Sequence, residues 1–598
     1  MISFTICSIS LFLLCTSAQL CRVQPGDANW PDIATWDNLN STVSGRLTKP
    51  YAIGTVCQPN DPSYDNATCT YLASQWSNTS WHASIPWTSD YNDETCPPAA
   101  IYHCSSDGYP AYVIETINVA DVQAGVNFAR DHNIRLVVKG TGHDFPGRSS
   151  GRGSLSIWTH RLRGVEITHN DPRAIRYGGV ASVKVSAGMR WREIYAEVSK
   201  NNITVVGGAD PNVGVGGWIL HGGHSPISSV FGLGADQVLE YEVVTADGQY
   251  ITTNETSHPD LFWAMRGGGA SFAVMLSVTM KAYSKLSVTS YSYAYAAKSA
   301  SDTYWSLVAY FHSQFPTISE AGGMGYHYML SGIASPEPTY GNDVIYGAWM
   351  FPNKTPEEAQ AIMNPVEAAF NTSSWSIDPT YIAISTYDTT DNIMLSLASS
   401  TSEAAGVDGR LGSWLLDGPA LTTNFTKLKE TIKGVMPLPW LTISHVIAGP
   451  GVRNAVATIP NGSNAVNPAW RTAYAHVALP RSWPSHNVTA KNFITADLRD
   501  KVALLKALAP KSGAYINEAD PSNPSWKEDY FGKNYPKLLE IKNKYDPQGV
   551  FWCKPCVGYD QWDIVDGPTD EDKVEWGIGQ GKGRLCKRAS SARFAREI

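Results

Sequence analysis

In the first part of the chain, apolar residues recur with the spacing of a strand in some segments and with the spacing of a helix in others. Residues 112–116 alternate apolar and polar side chains, which is typical of a half-buried strand. From Asp121, which can cap a helix, apolar residues recur at helical spacing. The β-branched run 134–138 predicts another strand. This order predicts a βα unit with a ligand site at the carboxyl end of the second strand.

The pattern continues and then changes near residue 289. Strands are predicted over 176–185 and 240–245, with a helix over 191–200 between them. Farther along, alternating segments separated by helices are typical of an antiparallel sheet. The predicted strands there are 291–295, 326–330, 344–351 and 473–479, and 356–370 is a predicted helix. We expect this part to form an α+β domain that covers a substrate.

Size and charge limit the possible functions. A chain of 598 residues is too long for one core and predicts two or more domains. Its formal net charge of −8 disfavours nucleic acid as a partner, because phosphate binding needs a clustered positive field.

The N-terminus is typical of a secreted protein. The apolar run 2–15 is followed by small residues at 16–18, which predicts a signal peptide cleaved near Ala18. The run is too short to span a membrane, and no other segment is apolar enough to hold the mature chain there.

Cysteines and glycosylation motifs favour the same compartment. Eight cysteines remain after cleavage, an even number that suits disulfides. The pair Cys553 and Cys556 lacks a second pair or histidines at zinc spacing, so a structural disulfide is expected, with its connectivity open. Ten Asn-x-Ser/Thr motifs begin at Asn40, Asn66, Asn78, Asn202, Asn254, Asn353, Asn371, Asn424, Asn461 and Asn487.

Glycine-rich turns carry the most informative chemistry. The strand over 134–138 leads into a turn with Gly140, Gly142 and His143, where glycines let backbone N–H groups approach a phosphate. Two more glycine-rich segments, 205–218 and 221–225, are typical of backbone that wraps a ligand. Neither a nicotinamide-type Gly-x-Gly-x-x-Gly at a strand end nor a nucleoside-triphosphate loop occurs.

The His143 loop closely resembles the flavin-attachment loop of the vanillyl-alcohol-oxidase superfamily, in its berberine-bridge-enzyme-like branch. The resemblance continues over 107–288, through the signature 260–269, and returns at 515–520 and 526–547. Residues 39–47 resemble fungal isoamyl-alcohol-oxidase-like members. The resemblance implies an α+β fold, with a two-part FAD-binding domain of PCMH type, split in sequence, and an inserted antiparallel-sheet substrate domain.

We therefore divide the chain into six segments. They are a signal peptide (1–18), a Cys- and Trp-rich extension (19–106), the FAD-binding domain (107–288), the substrate domain (289–500), a C-terminal berberine-bridge-like element that closes on FAD (501–565), and a solvated tail (566–598).

The resemblance implies that His143 bonds covalently to the 8α-methyl of FAD. Many relatives add a cysteine from a Cys-Pro-x-Val-Gly-x-Gly-Gly frame, but Asp210 takes that position here, so we expect a single link through His143. The other expected FAD contacts are Gly140, Thr141, Gly142, Asp144, Ser149, Asp210, Val213, Gly214, Gly216, Gly217, Gly223, His224, Gly234 and Asn534.

The candidate catalytic residues are Tyr515, Asn517 and Glu518. If the segment is a strand, Tyr515 and Asn517 point to one face and Glu518 to the other. Glu518 has the more suitable intrinsic pKa for a base, and Tyr515 would need a lowered pKa. Packing and ion pairing remain alternative roles for both.

A metal is not expected. His221 and His224 form a pair in a glycine turn with no third ligand nearby in sequence, so contact with flavin or structural packing is expected of them.

The resulting hypothesis is a secreted FAD-dependent oxidase. It would take a hydride from an alcohol-type carbon of a small or secondary-metabolite substrate, with O2 as the electron acceptor and hydrogen peroxide as product. A flavin-dependent dehydrogenase, an oxidative cyclase of natural-product biosynthesis and a non-catalytic flavin-binding protein remain alternatives.

Overall fold

The computed structural model describes most of the mature chain. The described residues are 20–92, 95–99, 104, 106, 108–297, 302–332, 343–371, 378–387, 405–436, 441–565 and 583–588. The predicted signal peptide, the predicted cleavage position and both flanks of 583–588 lie outside them. Within them, no helix is both long and apolar enough to cross a membrane.

A small sheet carries the predicted βα unit. Its strands are β1 (Leu47–Thr48), β2 (Tyr112–Glu115), β3 (Leu136–Lys139) and β4 (Leu155–Trp158). β2 and β3 both pair with β4 in parallel, so β4, which periodicity missed, lies between them. The intervening helix is capped by Asn118 and not by Asp121, because the Asn118 side chain accepts a hydrogen bond from the Asp121 N–H.

A second sheet completes the FAD-binding part. It contains β5 (Val165–His169), β6 (Ala181–Ser186), β7 (Ile203–Thr204), β8 (Val238–Thr245), β9 (Tyr250–Asn254) and β10 (Ala273–Ser284), all paired antiparallel. The prediction of a strand from 176 was wrong at its start. Asp171 caps a short helix there, with a proline in its first turn, and β6 begins only at Ala181.

The central sheet is antiparallel throughout, as its alternation predicted. Its strands are β11 (Val288–Ala297), β12 (Met324–Ser331), β13 (Asp343–Pro352), β14 (Asp378–Tyr387), β15 (Gly409–Asp417), β16 (Leu441–Val446) and β17 (Ala473–Ser482). Their spatial order is β14-β11-β13-β12-β16-β17-β15. β12, β16 and β17 are therefore neighbours in the middle of the sheet.

Helices connect and cover these sheets. Their bounds are Ile33–Thr42, Asn66–Gln75, Thr79–Ser84, Val119–Asp131, Pro172–Arg176, Trp191–Ser199, Val215–Leu220, Ser228–Phe231, Pro259–Met265, Asp302–Ser313, Phe315–Glu320, Pro356–Asn371, Gly418–Thr422, Phe425–Val435, Pro450–Asn454, Val488–Leu508, Trp526–Phe531 and Tyr535–Tyr545.

The C-terminal part returns to the first sheet. Phe551 forms a parallel bridge with Leu136 in β3, beside the strand that leads to His143. The tail is not entirely solvated as predicted, because β18 (Trp562–Val565) pairs with β19 (Arg584–Lys587). Cys586 in β19 is fully buried.

Four disulfides use all eight cysteines of the predicted mature chain. They join Cys21 to Cys586, Cys57 to Cys69, Cys96 to Cys104, and Cys553 to Cys556. The prediction that the Cys553 and Cys556 pair forms a structural disulfide is confirmed. The first of the four ties the beginning of the described chain to its end.

The Cys21–Cys586 disulfide should stabilise the fold more than Cys57–Cys69. It closes a separation of 565 residues against 12, and loop-closure entropy alone gives a difference of about 3 kcal/mol. Serine at both positions of the long-range pair should therefore lower the thermal midpoint more than serine at both positions of the short-range pair. Equal losses would mean that the long-range link constrains the unfolded chain no more than the short-range link does.

Candidate active site

One large cavity lies where three parts of the chain meet. Its volume is about 1150 Å³, and its wall combines glycine-rich turns of the FAD-binding part, the central sheet and the C-terminal element. Most of the predicted FAD contacts line it: Gly140, Thr141, Gly142, His143, Asp144, Ser149, Asp210, Val213, Gly214, Gly216, Gly217 and His224. The predicted catalytic residues Tyr515, Asn517 and Glu518 line it too.

Three predicted contacts lie elsewhere. Gly223 and Gly234 pack against the Trp218 ring, where an added Cβ would come within 2.5 and 2.2 Å of it. Asn534 donates a hydrogen bond from Nδ2 to the Val466 carbonyl oxygen at 3.0 Å. None of the three lines the cavity, and Gly223 and Gly234 pack against Trp218, which does line it.

His143 is held by an acidic partner from the N-terminal extension. Its Nδ1 lies 2.9 Å from Asp90 Oδ2, and both side chains are almost fully buried. The Asp90 N–H also donates to the Gly142 carbonyl oxygen at 3.1 Å. Tyr91 and Phe145 stack on each other beside the imidazole. Sequence reasoning missed Asp90 because no spacing links it to the loop.

The glycine turns leave the cavity open to a ligand. Gly142 has a φ of +89°, and a Cβ there would meet the Lys139 side chain at 2.8 Å. Gly217 lines the cavity, and a Cβ there would meet nothing within 4 Å. Any other residue at 217 would extend a side chain into that space. The cradle therefore fits a group that approaches the backbone closely, such as a dinucleotide.

Asp210, which takes the place of the cysteine in the predicted frame, lies in the cavity wall. Its Oδ1 accepts a hydrogen bond from the Asn212 N–H at 2.7 Å. A carboxylate cannot form a thioether, so the wall offers no second thiol at this place.

Arg148 joins the His143 loop to the C-terminal element. Its guanidinium donates to Asp144 Oδ1 at 3.0 Å and to Asn517 Oδ1 at 2.8 Å. It also lies 3.2 Å from Nε2 of His221, whose Nδ1 lies 2.8 Å from the Gly217 carbonyl oxygen. Burial, together with the Arg148 charge, lowers the pKa of His221 to about 3, so this imidazole is a neutral structural group.

Tyr515 and Glu518 lie on one 3₁₀ turn, not on a strand. The predicted separation to opposite faces was wrong, because the turn Ile516–Glu518 directs Tyr515 and Glu518 into the same cavity. Asn517 Nδ2 donates to the Tyr515 hydroxyl at 2.7 Å. Burial and the nearby Glu518 charge raise the pKa of Tyr515, so the condition under which it could act as a base is not met.

Glu518 has the electrostatics of an ionised carboxylate. Its Oε1 lies 2.9 Å from Nε2 of His224. Burial alone would raise its pKa, but the charge and hydrogen bond of His224, together with His476, outweigh burial and lower the pKa below its usual value. On the other side of His224, Nδ1 lies 3.4 Å from the Tyr326 hydroxyl.

Two further histidines reach the same place from the central sheet. His445 on β16 and His476 on β17 are direct cross-strand partners, and Tyr326 on β12 is opposite His445. The expectation that His224 has no other ligand-type neighbour was wrong in space, because long-range pairing brings in His445, His476 and Glu518. In the sequence, their only signal is a single histidine within each of these strands.

Two family models match the parts of the chain that form this cavity. One is described as an FAD binding domain and matches residues 110–254. The other is described as berberine and berberine like and matches residues 514–558.

Similar proteins cover nearly the whole chain. FAD-linked oxidoreductase ZEB1 of Gibberella zeae is 33% identical over 599 residues, covering 97% of each protein. VAO-type flavoprotein oxidase VAO615 of Thermothelomyces thermophilus is 31% identical over 561 residues, covering 91% of this chain and 94% of its own. The crystal structure of VAO-type flavoprotein MtVAO713 from Myceliophthora thermophila C1 is 29% identical, with a TM-score of 0.87, and covers 96% of this chain and 100% of its own.

The chain belongs to the VAO-type FAD-linked oxidoreductases. The predicted family, fold class and FAD cofactor are thereby confirmed, and the protein is an oxidoreductase. The alternative of a non-catalytic flavin-binding protein is set aside.

The Arg148 bridge should be important for the stability of this oxidoreductase. Replacing Arg148 with Met leaves the Asp144 carboxylate, whose side chain is 10% exposed, without its charged partner. We expect a loss of roughly 3–5 kcal/mol, seen as a lower thermal midpoint.

Arg148→Lys is the matched control for this change. It keeps the charge but cannot reach Asp144 and Asn517 with one planar group, so an intermediate midpoint is expected. If Arg148→Met is as stable as the unaltered protein, the bridge does not hold the two segments together.

Proposed function

We propose that this oxidoreductase is a secreted oxidase that carries FAD on a single covalent bond to His143 and oxidises an alcohol-type carbon. The observation that supports it most directly is the shared cavity: His143 and the Glu518–His224 pair line the same space. When bound, FAD supplies a hydride acceptor at N5, and O2 returns the flavin to its oxidised form with formation of hydrogen peroxide.

The contact with Asp90 supports covalent attachment at His143. A carboxylate that accepts a hydrogen bond from the Nδ1–H group fixes the tautomer and places the nucleophilic lone pair on Nε2. Asp90 is thus a positioning residue that makes the imidazole a better nucleophile. Asp210, at the place of the second link, supports the single bond.

Glu518 is the proposed base for the alcohol. Loss of a hydride from carbon requires the hydroxyl proton to leave, and a carboxylate with a lowered pKa is ionised at neutral pH and able to accept it. Tyr515 keeps its proton and instead donates a hydrogen bond to a substrate oxygen. His224 holds the carboxylate in position through its 2.9 Å contact with Oε1.

The wall of the cavity supports a substrate with both ring-like and polar surface. Tyr293, Tyr326, Tyr328 and Tyr346 line it from the central sheet. Aromatic rings with hydroxyl groups bind flat apolar faces and also hydrogen-bond to oxygen. A sugar hemiacetal, a small alcohol or a phenolic secondary metabolite fits this description.

The apolar N-terminal run and the four disulfides of the predicted mature chain support secretion.

Replacing His143 with Ala should release the flavin. Acid precipitation of the unaltered protein is expected to give a yellow pellet, whereas His143→Ala should leave a colourless pellet and a yellow supernatant, because its only covalent bond to FAD is absent. Asp210→Ala is the matched control, since Asp210 lines the same cavity and forms no flavin bond. A yellow pellet from His143→Ala would contradict the single link.

Replacing Glu518 with Gln should slow flavin reduction by substrate roughly 10²–10⁴-fold. The unaltered enzyme should lose activity only as the pH falls through a pKa below the usual 4.5, because the base must be ionised and its pKa is lowered. The measurement is anaerobic bleaching of the flavin band as a function of pH. A Gln variant whose flavin is reduced at an unimpaired rate would exclude Glu518 as the base.

A further inference from the structure

Four metal-binding side chains meet at the junction of the three parts of the chain. His224 comes from a glycine turn, His445 from β16, His476 from β17 and Glu518 from the 3₁₀ turn. One ring nitrogen or carboxylate oxygen from each lies within 4.8 Å of those of all the others. We call these four residues the His–Glu cluster.

Two of its histidines have no hydrogen bond on either ring nitrogen. His445 is 9% exposed and His476 is fully buried, and neither ring has a hydrogen-bond partner among the described residues. Nδ1 of His476 lies 3.5 Å from Glu518 Oε2, which is beyond the usual hydrogen-bond distance. Leaving a buried polar group without a partner costs about 1–3 kcal/mol.

His312 shows how the same sheet region treats a purely structural histidine. It is also buried, but Nδ1 lies 2.7 Å from the Val308 carbonyl oxygen and Nε2 lies 2.9 Å from Oγ of Ser444, the neighbour of His445. Both of its ring nitrogens are therefore satisfied by protein groups. The unsatisfied nitrogens of the His–Glu cluster point instead to a ligand.

The backbone arranges the cluster in advance. Residues directly opposite each other on neighbouring strands share a face of the sheet, which places His445 beside His476. The ring centroids of these two are 6.2 Å apart, and that of His224 lies 5.7 and 5.9 Å from them. The three imidazoles thus form a nearly equilateral triangle next to the Glu518 carboxylate.

We propose that the His–Glu cluster binds one divalent cation of the zinc type. Three imidazoles and one carboxylate are ligands that zinc takes in proteins, in a tetrahedral arrangement. With bonds of about 2.0–2.2 Å, the ligand atoms of such a site lie roughly 3.4 Å apart. Side-chain movements of about 1 Å would bring the cluster to this geometry.

The catalytic role of the cation rests on the proposed function, whereas its binding does not. Catalytic zinc sites keep three protein ligands and leave a fourth position for substrate. The three histidines would hold the cation, and the hydroxyl oxygen of the alcohol would replace the Glu518 oxygen. A cation held there would polarise the O–H bond of the alcohol, and Glu518 would accept the hydroxyl proton. The C–H hydrogen would leave with both electrons to FAD as a C=O bond forms.

Metal analysis of the flavin-loaded protein tests the binding. Protein purified without a metal column or chelator is expected to contain about one zinc per chain. Removal with a chelator, followed by calorimetric titration with Zn²⁺, should give one site. A flavin-loaded protein that contains no zinc and takes up none in this titration would overturn the proposal, whatever the variants do.

Two variants show where the cation binds. His445→Ala should weaken Zn²⁺ binding at least about tenfold, while flavin content and the flavin spectrum stay unchanged. His312→Gln is the matched control, because His312 is a buried histidine of the same region outside the cluster. Equal Zn²⁺ affinity in the His445 variant and the unaltered protein would place the metal elsewhere and overturn the site.

The same samples separate the site from the reaction. If the protein keeps its flavin after chelator treatment and substrate still reduces that flavin at an unchanged rate, the cation has no catalytic role although the site exists. If no substrate reduces the flavin in the zinc-loaded protein, the proposed oxidase function fails while the zinc content still confirms the site.

Discussion

The contact between the His143 loop region and the C-terminal element is the constraint on which the active site depends. Arg148 reaches Asn517 across 369 residues, and His224 reaches Glu518 across 294. Ordering such distant segments costs conformational entropy, so both contacts need support from packing around them. The Phe551–Leu136 bridge and the Cys21–Cys586 disulfide are two further long-range links between the N-terminal half of the chain and its C-terminal part. Without these contacts, the glycine-rich turns and the candidate catalytic residues would not be held together in one cavity.

Electrostatic interactions give neighbouring residues of the cavity different protonation states. Burial keeps Tyr515 protonated and His221 neutral, since each would otherwise place a charge in a desolvated site. Glu518 is the exception, because His224 and His476 stabilise its charged form more than burial opposes it. One cavity therefore holds a hydrogen-bond donor and a proton acceptor on the same short turn.

Local sequence signals predicted the parts of the fold that depend on local physics. Periodicity and glycine turns were enough for the βα unit, the antiparallel central sheet and the His143 loop. Their limits are also local. Both Asn118 and Asp121 can cap a helix, and only the backbone shows that Asn118 accepts the hydrogen bond. The strand at 584–587 was missed because its partner β18 lies beyond an intervening segment with no pattern.

What sequence could not provide is the meeting of residues through long-range pairing. His445 and His476 lie on different strands with no shared motif, and only the register of β16 and β17 brings them together and next to His224. The contact of Asp90 with His143 was equally unpredictable, because Asp90 lies in the Cys- and Trp-rich extension and reaches His143 only through the tertiary fold. Glycine patterns and the family resemblance thus located the turns and the C-terminal element that line the cavity, but not all of the side chains that join them.

A crystal structure of the holoprotein with an unreactive alcohol analogue would show both the flavin link and the position of the substrate oxygen. We predict the isoalloxazine bonded to His143 inside the cavity, with the oxygen of the analogue within hydrogen-bonding distance of Glu518 or at a cation held by the three histidines. An isoalloxazine lying outside this cavity, or an analogue oxygen remote from both Glu518 and His224, would contradict this prediction.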